Sequence, residues 1–279
     1  MILIADSGST KTTWAVINID AQLSTTYRTS GINPYQQEEG SIQEMLIREI
    51  PFDKEAIQQI YYYGAGATSD TKVKLRNSLG KAFKRAYYID IQNDVHAAAY
   101  ALCQQEAGIA CILGTGSNSC EYDGKKIVQN IGGFGFILGD EGSGAVLGKQ
   151  LISDFLHHNM PEHLWGQLQE THYLSADFIL DQVYRQAYPN RFLATFAPFL
   201  LENQQESYIK TLLSTHFHAF FKQKVQCYEN AKRLPIHFTG SIAHHFQTHL
   251  KMAAQKLNLV IGNIASTPME GLIRYHQQK

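Results

Sequence analysis

The chain lacks most of the features that announce a special environment. Its 279 residues carry 24 Lys+Arg against 25 Asp+Glu, a formal net charge of −1. No field of one sign exists to gather nucleic acid or an anionic membrane surface, so neither partner is expected. Cysteine is scarce, at positions 103, 111, 120 and 227, with no C-x-x-C pair. That excludes a zinc or dithiol motif and leaves free, buried thiols in a reducing compartment as the expectation. No run approaches the ~20 apolar residues of a membrane span. Met1–Asp6 lacks the basic region and apolar length of a signal peptide, and a cytoplasmic protein is expected. Low-complexity segments and a G-x-x-x-x-G-K-[ST] loop are also missing. With 44% hydrophobic and 18% charged residues the composition is that of an ordinary globular protein, and at ~150 residues per domain the length suggests two.

What is present is an internal duplication. Ile2–Ala5 reads as a strand, Asp6-Ser7-Gly8-Ser9-Thr10-Lys11 as a turn of small polar residues, Thr12–Ile19 as a second strand, Asn18–Ala21 as a turn and Gln22–Thr29 as a third strand. The same design recurs from Gly108. There, Gly108–Leu113 is a strand, Gly114-Thr115-Gly116-Ser117-Asn118 a turn, Ser119–Tyr122 a strand, Asp123-Gly124 a hairpin signal and Lys126–Asn130 a strand. Downstream, Ile60–Tyr63 leads through Gly64-Ala65-Gly66 to a helix over Thr71–Lys84, as Pro235–Phe238 leads through Thr239-Gly240-Ser241 to a helix over Ile242–Lys256. Ala86–Ile91 precedes a helix starting near Asn93-Asp94, as Leu257–Ile264 precedes one over Thr267–Gln278. Two copies of a β-β-β-α-β-α-β-α unit predict an α/β fold of two similar lobes with a cleft between them. From Asp140 to about Leu234 the apolar spacing is helical, with breaks at Pro161, Pro189 and Pro198. The predicted division is residues 1–106, with the terminal helix 267–279 packing back on them, and 107–266, with a helical insertion over about 145–234.

A tight turn of Gly, Ser and Thr presents backbone N–H groups and hydroxyls toward one point, which suits phosphate oxygens. Asp6 at the strand end could hold Mg²⁺ through water, since that ion keeps several waters and takes one or two carboxylates. A plain hairpin is the alternative for each turn. Two such turns in equivalent positions of two lobes could grip a triphosphate from both sides.

These segments resemble the actin, hexokinase and Hsp70 superfamily of ATP-binding proteins. Asp6–Thr12 is similar to its first phosphate motif, Gly114–Asn118 to its second, and Phe238-Thr239-Gly240-Ser241-Ile242-Ala243 to its adenosine motif. Gly132-Gly133-Phe134-Gly135 followed by Gly139-Asp140-Glu141-Gly142-Ser143 narrows the resemblance to the N-acetylglucosamine kinase branch of the BadF/BadG/BcrA/BcrD ATPases, over essentially the whole chain. The resemblance implies a duplicated ribonuclease-H-like (actin-like ATPase) fold, with ATP and Mg²⁺ as cofactors and a small-molecule sugar as partner. The sequence does not fix the oligomeric state, and a homodimer is one assembly compatible with the resemblance, which further assigns the site residues. It implies that Asp94 is the catalytic base, that Asn33, Asp94, Ser117, Gly133 and Asp140 bind the sugar, and that Asp6 is linked to Mg²⁺. Phosphate and nucleotide fall to Gly8, Ser9, Thr10, Lys11, Thr12, Gly114, Thr115, Gly116, Gly240 and Ser241. Ser7 and Ser9 stand where relatives often have Gly, and Phe134 where some have Trp.

The expected activity is transfer of the ATP γ-phosphoryl group to the 6-hydroxyl of an amino sugar, N-acetylglucosamine first, then glucosamine or another hexose. Two other readings compete. An activator ATPase would need cysteine ligands for an iron–sulfur cluster, and Gly132-Gly133-Phe134 offers none. A non-catalytic sugar or ATP sensor would not need Asp6 and Asp94 together. Three bland readings stand beside these. Asp94 caps a helix, Asn33 is a turn residue before Pro34, and Glu141 is a first-turn helix charge. His245 and His249, four apart, share a helix face, and with His216-x-His218 they lack the partners of a metal motif. Tyr61–Tyr63 reads as a buried strand.

Overall fold

Leu3, Ile4 and Ala5 are all fully buried. Consecutive apolar residues covered on both faces mark the central strand of a sheet with helices on either side. This strand, β1 (Ile2–Ser7), starts the first of two units in the computed structural model, which describes residues 1–8, 11–18 and 23–278, with only the backbone for 23 and 24. The expected turn at Asn18–Ala21 and the start of the third strand fall partly outside the described residues, as do Ser9 and Thr10.

The first unit comprises Met1–Gln105 and Thr267–Lys279. After β1 come β2 (Lys11–Ile17), β3 (Leu23–Ser30), α1 (Glu39–Glu49), β4 (Gln59–Gly64), α2 (Ser69–Ala82), β5 (Tyr88–Gln92) and α3 (Asp94–Cys103). The sheet order is β3-β2-β1-β4-β5, with β1, β2 and β3 antiparallel to one another in turn and β1, β4 and β5 parallel. Of the expected buried run, Tyr62 and Tyr63 are buried in β4, whereas Tyr61 is only partly buried.

The second unit, Glu106–Ser266, opens with β6 (Ala107–Leu113), β7 (Ser117–Asp123) and β8 (Ile127–Ile131). A helical block follows: α4 (Gly135–Leu138), α5 (Gly144–Leu156), α6 (Glu162–His172), α7 (Ala176–Tyr184), α8 (Pro189–Ala194), α9 (Ala197–Glu202), α10 (Ser207–Phe220) and a π-helical turn, Phe221–Val225. Then come β9 (Ile236–Thr239), α11 (Ser241–His245), α12 (Gln247–Lys256) and β10 (Ile261–Ala265). The order β8-β7-β6-β9-β10 and its strand directions repeat those of the first sheet. Each unit has its own core; the second is built on Phe217, Phe220, Phe221 and Phe238 against Leu113. The last helix, α13 (Met269–Gln277), belongs to the first unit. There Gln104 Nε2 donates to the Gly271 carbonyl (3.1 Å) and Tyr63 Oη meets His276 Nε2 at 2.9 Å.

Several boundaries move. Ser117 and Asn118, expected in the turn, begin β7 and pair with Leu113 and Ile112. The helix expected over Ile242–Lys256 is broken at Phe246 (φ −101°, ψ 23°), so His245 and His249 lie on separate helices. Leu257–Val260 is not strand; the N–H groups of Leu257 and Leu259 both return to the Ala254 carbonyl, and Asn258 has φ +56°. Cys103, Cys111 and Cys120 are buried and form no disulfide, as expected, whereas Cys227 is exposed. No helix among the described residues is long and apolar enough to cross a membrane.

Candidate active site

In the first unit the candidate residues gather at the carboxyl ends of parallel strands, where open α/β sheets bind ligands. Asp6 is the penultimate residue of β1, opposite Tyr63 of β4. Asp94 follows the end of β5 and is the first residue of α3. The helix cap is Asn93, not Asp94, because the Asn93 side chain accepts the His96 N–H (3.2 Å) and also meets His96 Nδ1 at 2.6 Å. The two carboxylates feel each other. Burial first, then the charge of Asp94, pushes the Asp6 carboxyl up to about 7, against the opposing pull of Lys11.

The hairpin beyond Asp6 is closed by Gly8 N–H donating to the Lys11 carbonyl (3.0 Å). Thr12 is fully buried and its hydroxyl is 2.8 Å from that of Ser7, so its side chain faces the core rather than a ligand. Asn33 does form a turn: its Oδ1 accepts the Tyr35 N–H (3.1 Å) and its carbonyl those of Gln36 and Gln37. No hydrogen bond to another described residue engages its Nδ2.

In the second unit the turn between β6 and β7 is Gly114-Thr115-Gly116. Its Gly114 and Thr115 carbonyls accept the Gly144 and Ala145 N–H groups at the start of α5 (2.8 and 3.1 Å), a helix capped by Ser143. A Cβ on Gly114 would meet nothing within 4 Å, whereas one on Gly116 would lie 2.9 Å from Asp140 Oδ2. Gly240, at φ +115°, is pressed onto the Leu113 carbonyl and leads into Ser241, the first residue of α11. The second phosphate turn and the adenosine segment are therefore neighbours, at the ends of the paired strands β6 and β9.

Asp140 is 8% exposed, holds φ +59°, and has a buried Oδ1 without a hydrogen-bond partner among the described residues. Its pKa is raised by burial and by Glu141, against the lowering effects of the Ser117 and Gly135 backbone and of Lys224. A Cβ on Gly133 would sit 2.8 Å from the Ser117 carbonyl and 3.2 Å from Asp140 Oδ1. Ser117 Oγ is likewise buried and unpartnered among the described residues. Unsatisfied buried polar atoms are rare, and Asp140 Oδ1 and Ser117 Oγ are chemically suited to a hydroxyl-bearing ligand. Glu141 is not a first-turn helix charge, since α5 begins three residues later. Its Oε2 lies 3.7 Å from Lys224 Nζ.

The sequence reading passed over Lys224. Its spacing, three and four residues after the buried Phe221 and Phe220, puts it on the buried face, but a lysine is read as solvent-facing; in the π turn it is 2% exposed. The described residues contain no group of three or more His, Cys, Asp or Glu placed to hold a metal. Two carboxylates, Asp6 and Asp94, fit the lighter demand of a hydrated Mg²⁺.

The family model for BadF/BadG/BcrA/BcrD ATPases matches residues 5–268. Among solved structures, a candidate N-acetylglucosamine kinase from Porphyromonas gingivalis is 40% identical, with 100% of this chain and 99% of that chain covered and a TM-score of 0.95. A candidate N-acetylglucosamine kinase from Chromobacterium violaceum is 16% identical (98% of each chain, TM-score 0.76). A ROK family glucokinase from Streptomyces griseus, in complex with glucose and AMPPNP, is 13% identical (98% and 97%, TM-score 0.62). These last two show the fold: two lobes of the duplicated actin-like ATPase architecture. No curated protein matches the chain.

Proposed function

Because the chain belongs to the BadF/BadG/BcrA/BcrD ATPase family, we propose that it is an ATP-dependent sugar kinase acting on the 6-hydroxyl of an amino sugar, N-acetylglucosamine. The observation that carries this reading is the Asp6–Asp94 pair at the ends of β1 and β5, with helix capping assigned to Asn93. The 40% identity to the P. gingivalis protein supports the substrate class.

Phosphoryl transfer asks a protein for positioning, charge neutralisation and a proton acceptor. Asp94 orients the acceptor hydroxyl and takes its proton as the oxygen–phosphorus bond forms and the bond to ADP breaks, a contribution of roughly 10²–10⁴-fold. Asn33 Nδ2, Ser117 Oγ and Asp140 Oδ1 bind sugar hydroxyls, and sites of this kind reject analogues that lack the hydroxyl. Gly114 leaves open space for a phosphate, and the Gly240–Ser241 step receives the adenosine. Asp6 would hold Mg²⁺ through water. Magnesium, when bound, offsets the negative charge of the transferring group.

The test is ADP release in a coupled assay with Mg·ATP and a panel of hexoses and hexosamines. N-acetylglucosamine should give the largest kcat/KM. Turnover confined to glucosamine or another hexose would correct the substrate and keep the mechanism. Sugar-independent ATP hydrolysis, or ATP binding without turnover, would overturn the kinase reading in favour of an activator ATPase or a sensor.

A further inference from the structure

A lysine ammonium is almost never fully buried unless it is paired. Lys224 Nζ is held on several sides, and its partners among the described residues come from one short segment. It donates to the Gly132 carbonyl (2.8 Å), lies 4.3 Å from the Phe134 ring centroid and 3.7 Å from Glu141 Oε2, and sits 3.6 Å from where a Gly139 Cβ would stand. One ammonium thus bridges both ends of the segment from Gly132 to Glu141, which carries Gly133 and Asp140.

The base of this bridge is fixed. The Lys224 carbonyl accepts the Ser119 hydroxyl of β7 (2.8 Å). Ser119 also meets Tyr228 Oη (2.8 Å), which accepts the Ile131 N–H at the end of β8 (3.0 Å). Lys224 lies within the π-helical turn Phe221–Val225, and such turns are rare and often found at functional sites.

We propose that Lys224 is a positioning residue: its ammonium clamps the Gly132–Glu141 segment and thereby sets the sugar-binding site of Ser117, Gly133 and Asp140. The proposal rests on the sugar-kinase reading for the identity of the acceptor, but the clamp itself does not. The charged groups bearing on Asp140 are Lys224 from the π turn and Glu141 from its own loop, with the Ser117 and Gly135 backbone from β7 and α4. Glu141 also bears on His216 of α10, whose neutral form burial and then Lys149 favour.

The experiment compares wild type, Lys224→Met and the double variant Lys224→Met/Glu141→Gln, which removes the buried pair together. Lys224→Met should raise the N-acetylglucosamine KM by on the order of 10-fold or more, as a misplaced site does, with the ATP KM and kcat moved less than about 3-fold. The acid limb of kcat/KM for the sugar should move to higher pH, because Asp140 loses the cation that favours its ionised form. The double variant should recover melting temperature but not sugar KM. Recovery of both would reduce Lys224 to a structural partner of Glu141 and overturn the proposal, as would an unchanged sugar KM in folded Lys224→Met. Hydrogen exchange read by mass spectrometry provides the activity-free arm. Amides 132–141 should exchange faster in both variants while β7 stays protected, and unchanged exchange overturns the clamp even if the wild type phosphorylates no sugar.

Discussion

Burial, and after it the carboxylate of Asp94, pushes the Asp6 carboxyl up to about 7. Two like charges at the ends of β1 and β5 cost stability in the absence of a cation and create a place for one. The electrostatic arrangement that destabilises the folded first unit is therefore the one that would recruit Mg²⁺.

Asp94→Asn should separate the two consequences. Sugar-dependent turnover should fall by roughly 10²–10⁴-fold with the acceptor still bound, since only the proton acceptor is removed. The metal-free variant should melt at a higher temperature than wild type at pH 8, because Asp6 ionises without a neighbouring charge. Steady-state kinetics beside a thermal melt measures both. A variant that keeps more than about a tenth of wild-type kcat would remove Asp94 from the role of base.

The pH dependence has a definite sign. A carboxylate whose folded pKa lies above its unfolded value contributes stability that is whole below the unfolded pKa and is lost as pH rises through the folded one. For Asp6 that window runs from the ordinary 3.8 up to about 7. The metal-free melting temperature should decline across this window more steeply in wild type than in Asp6→Asn, and the two curves should run parallel above it. Mg²⁺ should recover part of the loss in wild type and none in the variant. Equal slopes for the two proteins would show that Asp6 is not the titrating group.

The glycines of the second turn should behave differently from each other. At Gly114 a Cβ points into open space, the room allotted above to phosphate, whereas at Gly116 it meets Asp140 Oδ2 at 2.9 Å. Gly114→Ala should raise the ATP KM with little change in the sugar KM. Gly116→Ala should do the reverse, by displacing Asp140. Effects on the same substrate from both variants would mean that the turn serves a single ligand.

The duplicated topology was legible because each half repeats the same spacing of strands and small-residue turns, and the sheet orders follow from it. The glycines were legible as turns, but what each one approaches was not. The contact between Gly240 and the Leu113 carbonyl depends on the β6–β9 register, which joins residues more than a hundred positions apart. Thr12 read as a phosphate ligand by motif, yet strand alternation turns its hydroxyl toward Ser7. Lys224 was invisible because of its type, not its place: it stands three, four and seven residues after the buried Phe221, Phe220 and Phe217, on the buried face, but a lysine there is read as solvent-facing. Capping, the alternative reading for Asp94, falls to its neighbour: Asn93 and Asp94 are equally good caps by type, and only the hydrogen bond to His96 distinguishes them.

Gly240→Ala tests whether the adenosine segment is held as tightly as its backbone implies. At φ +115° an alanine is strained by about 1–3 kcal/mol, and its Cβ would also run into the Leu113 carbonyl, an overpacking cost of typically another ~1–3 kcal/mol. Gly166 in α6 provides the contrast: a Cβ there meets nothing within 4 Å and the backbone is ordinary helix, so Gly166→Ala should stabilise by up to about 1 kcal/mol. Urea unfolding should therefore shift in opposite directions for the two alanines. Because Gly240 fixes the entry to α11, its variant should also bind ATP more weakly even under conditions where it is fully folded. If Gly240→Ala unfolds with the wild-type midpoint and binds ATP normally, the β9–α11 turn is not pinned by Leu113 and the adenosine assignment loses its structural support.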